Sequence, residues 1–181
     1  GSAAGFQTFY TDSRTWGQGS LIAGLPNNIV RGFVEHGDHI MVATWGGIGL
    51  WNTTKDGWDD PITTIDGLPT PITDHLFTLY TPIQGNGTIL VGGPAGLTVL
   101  HQDNLSVLTT LNFADGLVGN MVSGITYAEA TSRLVNNPDG STTVLHHDAA
   151  LFISHNGQGS TRPGVAAWDI ATDSANGTYN I

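Results

Sequence analysis

The feature that most constrains this chain is an internal repeat of about 45 residues. The residues Ala-Gly-Leu-Pro at 23–26 recur as Asp-Gly-Leu-Pro at 66–69 and as Asp-Gly-Leu-Val at 115–118. Four short apolar stretches separated by turns fill each unit, and this is typical of a propeller blade. No stretch has the 3.6-residue period of an amphipathic helix, so the repeat is not a helical solenoid. A β-sandwich stays possible, but it would not predict Gly-Leu-Pro at this spacing.

Composition agrees with many short strands joined by tight turns. The 181 residues include 25 glycines, and 39% of them are hydrophobic, which is enough for a packed core. A formal charge of −10, with only five Lys and Arg, argues against nucleic acid and anionic lipid as partners. No apolar run reaches the length of a membrane-spanning helix, so no direct membrane insertion is expected. The absence of cysteine excludes disulfides and thiol nucleophiles.

We therefore predict an all-β fold. It is a β-propeller segment of four-stranded antiparallel blades, with about 13 to 15 strands in all. Residues 24–66 and 67–115 are each predicted to form one blade, and residues 116–181 a blade with an inserted hairpin near 131–147. Residues 1–23 are predicted to hold a tag remnant, Gly1-Ser2, and the last two strands of a preceding blade.

Taken together, the copies give a general order of motifs: Asp-Gly-Leu-Pro, x-x-Val, a turn, a short apolar strand, and Gly-Gly-x-Gly-Leu. This order resembles the two-component-regulator propeller repeat, and the match covers nearly the whole chain. Two departures stand out: Val118 replaces the proline of the third copy, and both good copies lack the usual tryptophan of the second strand. The resemblance implies a sensor domain that precedes signalling modules and recognises extracellular saccharides.

Closed propellers contain roughly four to eight blades, so three blades and a fraction would leave sheet edges open. We expect a segment of a longer protein. The alternative is a homodimer in which two chains complete one ring.

Antiparallel strand order divides the turns of each blade between two faces. The first face holds four Asn-x-Ser/Thr sequons in or beside its turns: Asn52, Asn86, Asn104 and Asn176. We predict an extracellular or cell-surface glycoprotein in which glycans cover this face. The opposite face carries the predicted binding residues for a protein or glycan partner: Asn27, Asn28, Trp45, Asn120, His155 and Arg162.

Trp45, between Thr44 and two glycines, is the sharpest of these candidates. An exposed tryptophan suits sugar stacking or a protein hot spot. The alternative is a tryptophan packed between blades.

No residue pattern supports catalysis. Asp66 and Asp115 occupy the same repeat position, which indicates a structural turn rather than chemistry. The seven histidines show no converging ligand pattern, so no metal site is predicted. Calcium near Asp56, Asp59 and Asp60 is the one cofactor left open.

We predict a non-catalytic extracellular binding or adhesion module within a larger cell-surface protein. Three alternatives stay open. They are a saccharide-sensing domain of a signalling receptor, a structural surface-layer element, and an enzyme whose catalytic residues lie in other blades.

Overall fold

The structure, a computed structural model, describes residues 6–17, 24–79, 88–117, 119–147, 149–155 and 164–169. In these ranges the chain forms fifteen strands and two 3₁₀ turns, Thr64–Asp66 and Phe113–Asp115. In chain order the strands are β1 (Phe9–Tyr10), β2 (Thr15–Trp16), β3 (Val30–His36), β4 (His39–Thr44), β5 (Gly47–Asn52), β6 (Gly57–Ile62), β7 (His75–Leu79), β8 (Thr88–Gly93), β9 (Gly96–His101), β10 (Val107–Leu111), β11 (Val122–Ala128), β12 (Thr131–Asn136), β13 (Thr142–His147), β14 (Ala150–His155) and β15 (Gly164–Asp169). Among the described residues, no helix has the length and apolar character that crossing a membrane requires.

Two of the sheets are four-stranded antiparallel meanders. Strands β3 to β6 pair in chain order as the first sheet, and β7 to β10 pair in the same way as the second sheet. The third sheet has the order β11-β14-β15, while β1–β2 and β12–β13 are separate hairpins. The predicted fold class, all-β with four-stranded antiparallel blades, is confirmed.

The recurring Asp-Gly-Leu is a structural turn, as its repetition predicts. The Thr63 side chain accepts a hydrogen bond from the Ile65 N–H, and Asp66 Oδ2 accepts one from the Thr63 N–H at 2.9 Å. These bonds form a capping box around the 3₁₀ turn. Gly67 then takes a left-handed φ of 101°, which favours glycine, and Leu68 is buried. The same arrangement follows β10, in Asn112, Asp115, Gly116 and Leu117.

Two apolar clusters hold the three sheets face to face. The second sheet contributes to both clusters because side chains alternate along its strands: in β8, Ile89 and Val91 face the first sheet and Leu90 faces the third. The buried members between the first and second sheets are Met41, Ile48, Leu50, Ile62, Leu68, Ile89, Val91 and Leu100. Those between the second and third sheets are Leu90, Leu97, Val99, Leu117, Val122, Leu151 and Ile153.

The first strands of the three sheets are neighbours, since β7 contacts both β3 and β11. A buried bond network also joins the first sheet to the link that enters β7. Thr73 Oγ1 accepts the Thr44 N–H at 2.9 Å, and the Thr73 N–H donates to the Thr44 O at 2.9 Å. First strands that lie side by side, with the other strands outside them, are the arrangement found around a propeller axis.

The turn of the hairpin β1–β2 has the same conformation as the turns that join the third and fourth strands of the two complete sheets, β5–β6 and β9–β10. Arg14, Asp56 and Leu105 have positive φ values of 54°, 52° and 57° at the end of their turns. Phe6, just before β1, packs on the first sheet, with its ring centroid 5.2 Å from that of Phe33 and 5.9 Å from that of Trp58. The blade boundaries placed at residues 24, 67 and 116 stay predictions.

Residues 131–147 form the hairpin β12–β13 in the connection between β11 and β14. Leu134 and Val144 lie opposite each other in it and are 72% and 46% exposed. Within the described ranges, neither strand pairs with a strand of the three sheets. The hairpin is therefore an addition to the third sheet rather than part of its core.

Candidate binding face

Antiparallel pairing brings two kinds of loop to one end of the sheets. The β4–β5 and β8–β9 loops lie at the same end as the links that lead into β3, β7 and β11. We call this end the loop face, and it comprises residues 24–29, 44–47, 63–74, 93–96, 112–117 and 119–121. The predicted binding residues that the structure describes lie on the loop face or directly beneath it.

Trp45 is 44% exposed, although the loop around it is tightly bonded. Buried Thr44 donates its hydroxyl to the Gly47 O at 2.7 Å and accepts the Gly46 N–H at 3.1 Å. The Trp45 N–H donates to the Ile29 O at 3.2 Å. A Cβ on Gly46 would overlap a backbone carbonyl of the link before β3, so this position requires glycine. The loop therefore holds its backbone rigidly and presents the indole to solvent rather than burying it between blades.

Two of the three predicted asparagines brace the loop face. Asn27 Oδ1 accepts the Ile29 N–H at 2.8 Å, and Asn120 Oδ1 accepts the Phe113 N–H at 2.7 Å. Asn28 and Asn120 are exposed, whereas Asn27 is half-buried. The contact of these side chains with a partner stays a prediction. The hydrogen bonds of Asn27 and Asn120 hold the backbone of the links that lead into β3 and β11.

His155 lies beneath the loop face, at the end of β14, and is 3% exposed. This corrects its predicted role, because a ring buried to this degree is not available for direct contact with a partner. Desolvation lowers the pKa of His155, and the Gly119 backbone opposes the shift. Neither ring nitrogen completes a hydrogen bond with a described residue. Arg162, the other predicted residue of this loop, lies outside the described residues.

The predicted glycosylation sites do not share one environment. Asn52 is 6% exposed, and its Nδ2, the atom that a glycan would modify, donates to Asp59 Oδ2 at 3.0 Å. This corrects the prediction at Asn52, because attachment would require the buried amide to leave its bond and its site. Asn104 is exposed, and its modification stays a prediction. Asn86 and Asn176 lie outside the described residues.

A charged pair that was not predicted from the sequence lies at the edge of the loop face. Arg31 Nε donates to Asp74 Oδ1 at 3.1 Å, and the two side chains are 46% and 18% exposed. Arg31 follows Val30 and Asp74 follows Thr73 at equivalent positions of the first two repeats, and Ser123, after Val122, holds the matching position of the third. Comparing the repeats at this one position would have found the pair. Next to it, burial lowers the pKa of His75, Asp74 opposes the shift and Arg31 adds to it.

The rest of the loop face is open and partly apolar. Ile65 and Phe113, in the two 3₁₀ turns, are 93% and 62% exposed. A shallow depression that is open to solvent lies between the link at 68–73 and the β8–β9 loop. Ligands that are enclosed by a protein need a deeper cleft. The loop face therefore suits an extended partner, or a ring that stacks on Trp45, better than a small enclosed molecule.

On the opposite face, Asp59 is surrounded by N–H donors. Lys55 Nζ donates to Oδ1 at 2.8 Å, Asn52 Nδ2 donates to Oδ2 at 3.0 Å, and His39 Nε2 lies 2.8 Å from Oδ2. The hydrogen bonds of Lys55, His39 and Asn52 hold the pKa of Asp59 well below its usual value. Because these oxygens already face donors, Asp59 is not arranged as a calcium ligand. No group of three His, Asp or Glu residues in the described ranges could hold a metal ion.

No family model matches the sequence, and no curated protein matches it significantly. Among solved structures, the chain is similar to the extracellular domain of a protein assigned as a hybrid two component system from B. thetaiotaomicron. The match has a TM-score of 0.55 and 17% sequence identity, and it covers 98% of this chain. The chain spans only 20% of the length of that structure. What this similarity shows is the fold: the chain has the fold of one part of that extracellular domain.

Proposed function

We propose that this chain is a non-catalytic, extracellular binding module of a larger cell-surface protein, and that it recognises a protein or glycan partner through the loop face. The observation that carries the proposal is Trp45. Its ring is 44% exposed on a loop whose backbone is bonded to both neighbouring segments. An exposed aromatic ring on a rigid loop loses little entropy when a partner covers it.

The neighbourhood of Trp45 adds polar recognition to this apolar surface. The Trp45 N–H is bonded to Ile29, two residues before Arg31, and Thr44 is bonded to Thr73, which precedes Asp74. Arg31 uses only its Nε in the bonds of the described residues, so its other guanidinium N–H groups are available as donors. Together these groups fit a ring with hydroxyl or amide substituents. The formal charge of −10 favours an uncharged partner over a polyanion.

A second candidate follows from the structural similarity. The similar structure is an extracellular domain of a protein assigned as a hybrid two component system. By analogy at the level of the fold, this chain is a saccharide-sensing domain of a signalling receptor, built from repeats of the two-component-regulator propeller type. The two candidates share the loop face as the binding surface. They differ in whether binding changes the output of a kinase in the full-length protein.

The test is binding of the chain to a panel of immobilised neutral oligosaccharides, followed by titration of the best ligand. Trp45→Ala is expected to weaken binding by about tenfold or more, the loss typical of a buried aromatic hot spot. Trp16→Ala is the matched control, because Trp16 is 63% exposed on β2 and away from the loop face. Equal affinities of the two variants would refute the assignment of the loop face, and so would a wild-type chain that binds neither the panel nor a surface protein.

The same panel tests the non-catalytic part of the proposal. Each oligosaccharide is incubated with the full-length protein, and its mass is measured. Unchanged masses are the expected result. Cleavage that depends on a carboxylate of the loop face would make the protein an enzyme. The extracellular location is tested by adding a protease to intact cells, which is expected to degrade the protein, whereas protection from the protease would contradict it.

A further inference from the structure

The hairpin β12–β13 is held in shape by its own turn. The Asn137 N–H donates to the Ser141 O at 2.8 Å, and the Gly140 N–H donates to the Asn137 O at 3.0 Å. Asp139 Oδ1 accepts both the N–H and the hydroxyl of Ser141, at 2.9 Å and 2.6 Å. A two-stranded hairpin is marginally stable at best in water. These bonds therefore keep in order two strands that, in the described ranges, pair with no strand of the three sheets.

One edge of this hairpin lacks the features that protect sheet edges. Strand β13 contains no Asp, Glu, Lys, Arg or Pro, and its pairing with β12 has no bulge. The outer edges of the two complete sheets are protected, because β6 carries Asp60 and Pro61 and the pairing of β10 has a bulge between Val107 and Thr109. On the other strand of the hairpin, Arg133 supplies a charge. An uncharged, regular edge is a template for a further strand, so β13 is the edge at which we expect pairing.

The hydrogen-bond ladder determines which backbone groups of β13 are directed outward. Asn137 and Ser141 form a hydrogen-bonded pair at the turn, and such pairs alternate with non-hydrogen-bonded pairs along an antiparallel ladder. Thr142 and Val144 therefore belong to non-hydrogen-bonded pairs, and their N–H and C=O groups point away from β12. A strand added at this edge would meet a donor and an acceptor at each of these two residues.

Val144 is also the apolar centre of this edge. Its side chain is 46% exposed, and it lies opposite Leu134, which is 72% exposed, on the same face of the hairpin. Side chains of a non-hydrogen-bonded pair are the closer of the two kinds of cross-strand pair. At Val144 the edge therefore offers both backbone groups and an apolar surface.

We propose that β13 pairs antiparallel with β13 of a second copy of this chain, with the two Val144 residues opposite each other. A two-fold axis at Val144 gives both strands the same register. The two hairpins then form one four-stranded sheet in the order β12-β13-β13-β12, and one of its faces carries a continuous row of Leu134, Val144, Val144 and Leu134. The hairpin follows β11 at the end of the sheets opposite the loop face. This inference therefore does not depend on the proposed binding function.

The charge of the hairpin favours a second copy as the occupant of this edge. Residues 131–147 contain one Arg and one Asp and no Lys or Glu, so their formal charge is zero in a chain whose formal charge is −10. Two copies repel each other over most of their surface, and the repulsion is smallest where the hairpins meet. Pairing of two short strands buries less than the roughly 1,200 Å² of a stable interface, so we expect a weak dimer. This dimer differs from two chains that complete one ring, because it leaves the contacts of the three sheets unchanged.

The first test is cysteine cross-linking, which is direct because the chain contains no cysteine. Val144→Cys is oxidised with glutathione disulfide, and the cross-linked dimer is quantified by gel electrophoresis. In the proposed pairing, the two Cα atoms at position 144 are about 5.5 Å apart, within the range of a disulfide. Leu134→Cys is the matched control, because it is exposed on the same face but is separated from its copy by three strand spacings, about 14 Å. We expect cross-linking at 144 to be at least about tenfold faster than at 134; equal rates would overturn the proposal.

The second test measures the mass of the chain by light scattering as its concentration rises. We expect the wild type to shift from monomer to dimer. Val144→Lys places two ammonium groups opposite each other, which destabilises a strand pair, and should raise the Kd of the dimer at least about tenfold. Leu108→Lys adds the same charge at a 56% exposed site on β10 and should leave Kd close to that of the wild type.

A further variant keeps this test decisive if Val144→Lys does not fold. Thr142→Pro removes an outward N–H but no ladder bond between β12 and β13, and it should also weaken the dimer. A wild-type chain that stays monomeric up to about 1 mM would overturn the proposal. A dimer that Val144→Lys and Leu108→Lys affect equally would overturn it in favour of another contact surface.

Discussion

The contact between Thr44 and Thr73 predicts that removing one hydroxyl destabilises the fold. Thr73 is 2% exposed; its Oγ1 accepts the Thr44 N–H at 2.9 Å and lies 2.9 Å from the Thr44 O and 3.1 Å from the Gly47 O. Valine has nearly the same shape as threonine, so Thr73→Val keeps the packing. The two carbonyls keep other donors, the Thr73 N–H at 2.9 Å and the Thr44 hydroxyl at 2.7 Å. The main loss is therefore the acceptor for one buried N–H.

A buried N–H without an acceptor costs about 1–3 kcal/mol. For a chain of this size, a loss of about 2 kcal/mol lowers Tm by about 4–8 °C. Thermal unfolding followed by circular dichroism, with urea midpoints as a check, measures both. Thr98→Val is the matched control. Thr98 is 3% exposed, but among the described residues its hydroxyl bonds to Thr110 Oγ1 alone, at 3.0 Å, and Thr110 is half-buried and can turn to solvent. If Thr73→Val costs no more than Thr98→Val, the reasoning about the buried N–H is wrong.

Two further predictions concern the backbone and pH. Gly96 has a φ of 124°, and a Cβ on it would overlap the Leu111 carbonyl, so Gly96→Ala is expected to lower the free energy of unfolding by more than about 1 kcal/mol. Gly57→Ala, with no atom closer than 3.9 Å to the added carbon, is the control and should stay within about 0.5 kcal/mol of the wild type in urea unfolding. Burial lowers the pKa of His155 from 6.5. As pH falls below 6.5, the imidazole is therefore protonated in the unfolded chain before it is protonated in the folded protein, and the free energy of unfolding decreases. In His155→Gln the urea midpoint should therefore change less between about pH 7.5 and pH 5.5 than in the wild type; an equal or larger change would show that His155 is not the source of this dependence.

Fold class was predictable because its determinants are local. A left-handed turn at Gly67 needs glycine whatever surrounds it, and Asp66 caps the 3₁₀ turn three residues after Thr63. Alternation of side chains along β8 is also a property of a few consecutive residues. A chain that repeats these short patterns about every 45 residues has few folds available other than blades. For this reason the strands of the two complete sheets could be predicted without a structure.

The candidate site was predictable only in part, because exposure depends on distant neighbours. Asn52 has the sequence of an exposed sequon, but the pairing of β5 with β6 brings Asp59 to its amide. His155 lies in a polar stretch of sequence, yet the third sheet buries it. Arg31 and Asp74 are 43 residues apart, and the contact of β3 with β7 makes them an ion pair. The burial of Asn52 and His155 leaves no local pattern in the sequence, and the Arg31–Asp74 pair is visible only when two repeats are compared.

By itself, the sequence determined the repeat, the turns, the two-residue alternation and the charge, and from these the all-β blade architecture. Only the tertiary structure decided that Trp45 is exposed and that Asn52 and His155 are buried. The physical reason is the range of the interactions. Turns and strand alternation depend on neighbours along the chain, whereas burial depends on which sheet packs on which, over separations of about one repeat.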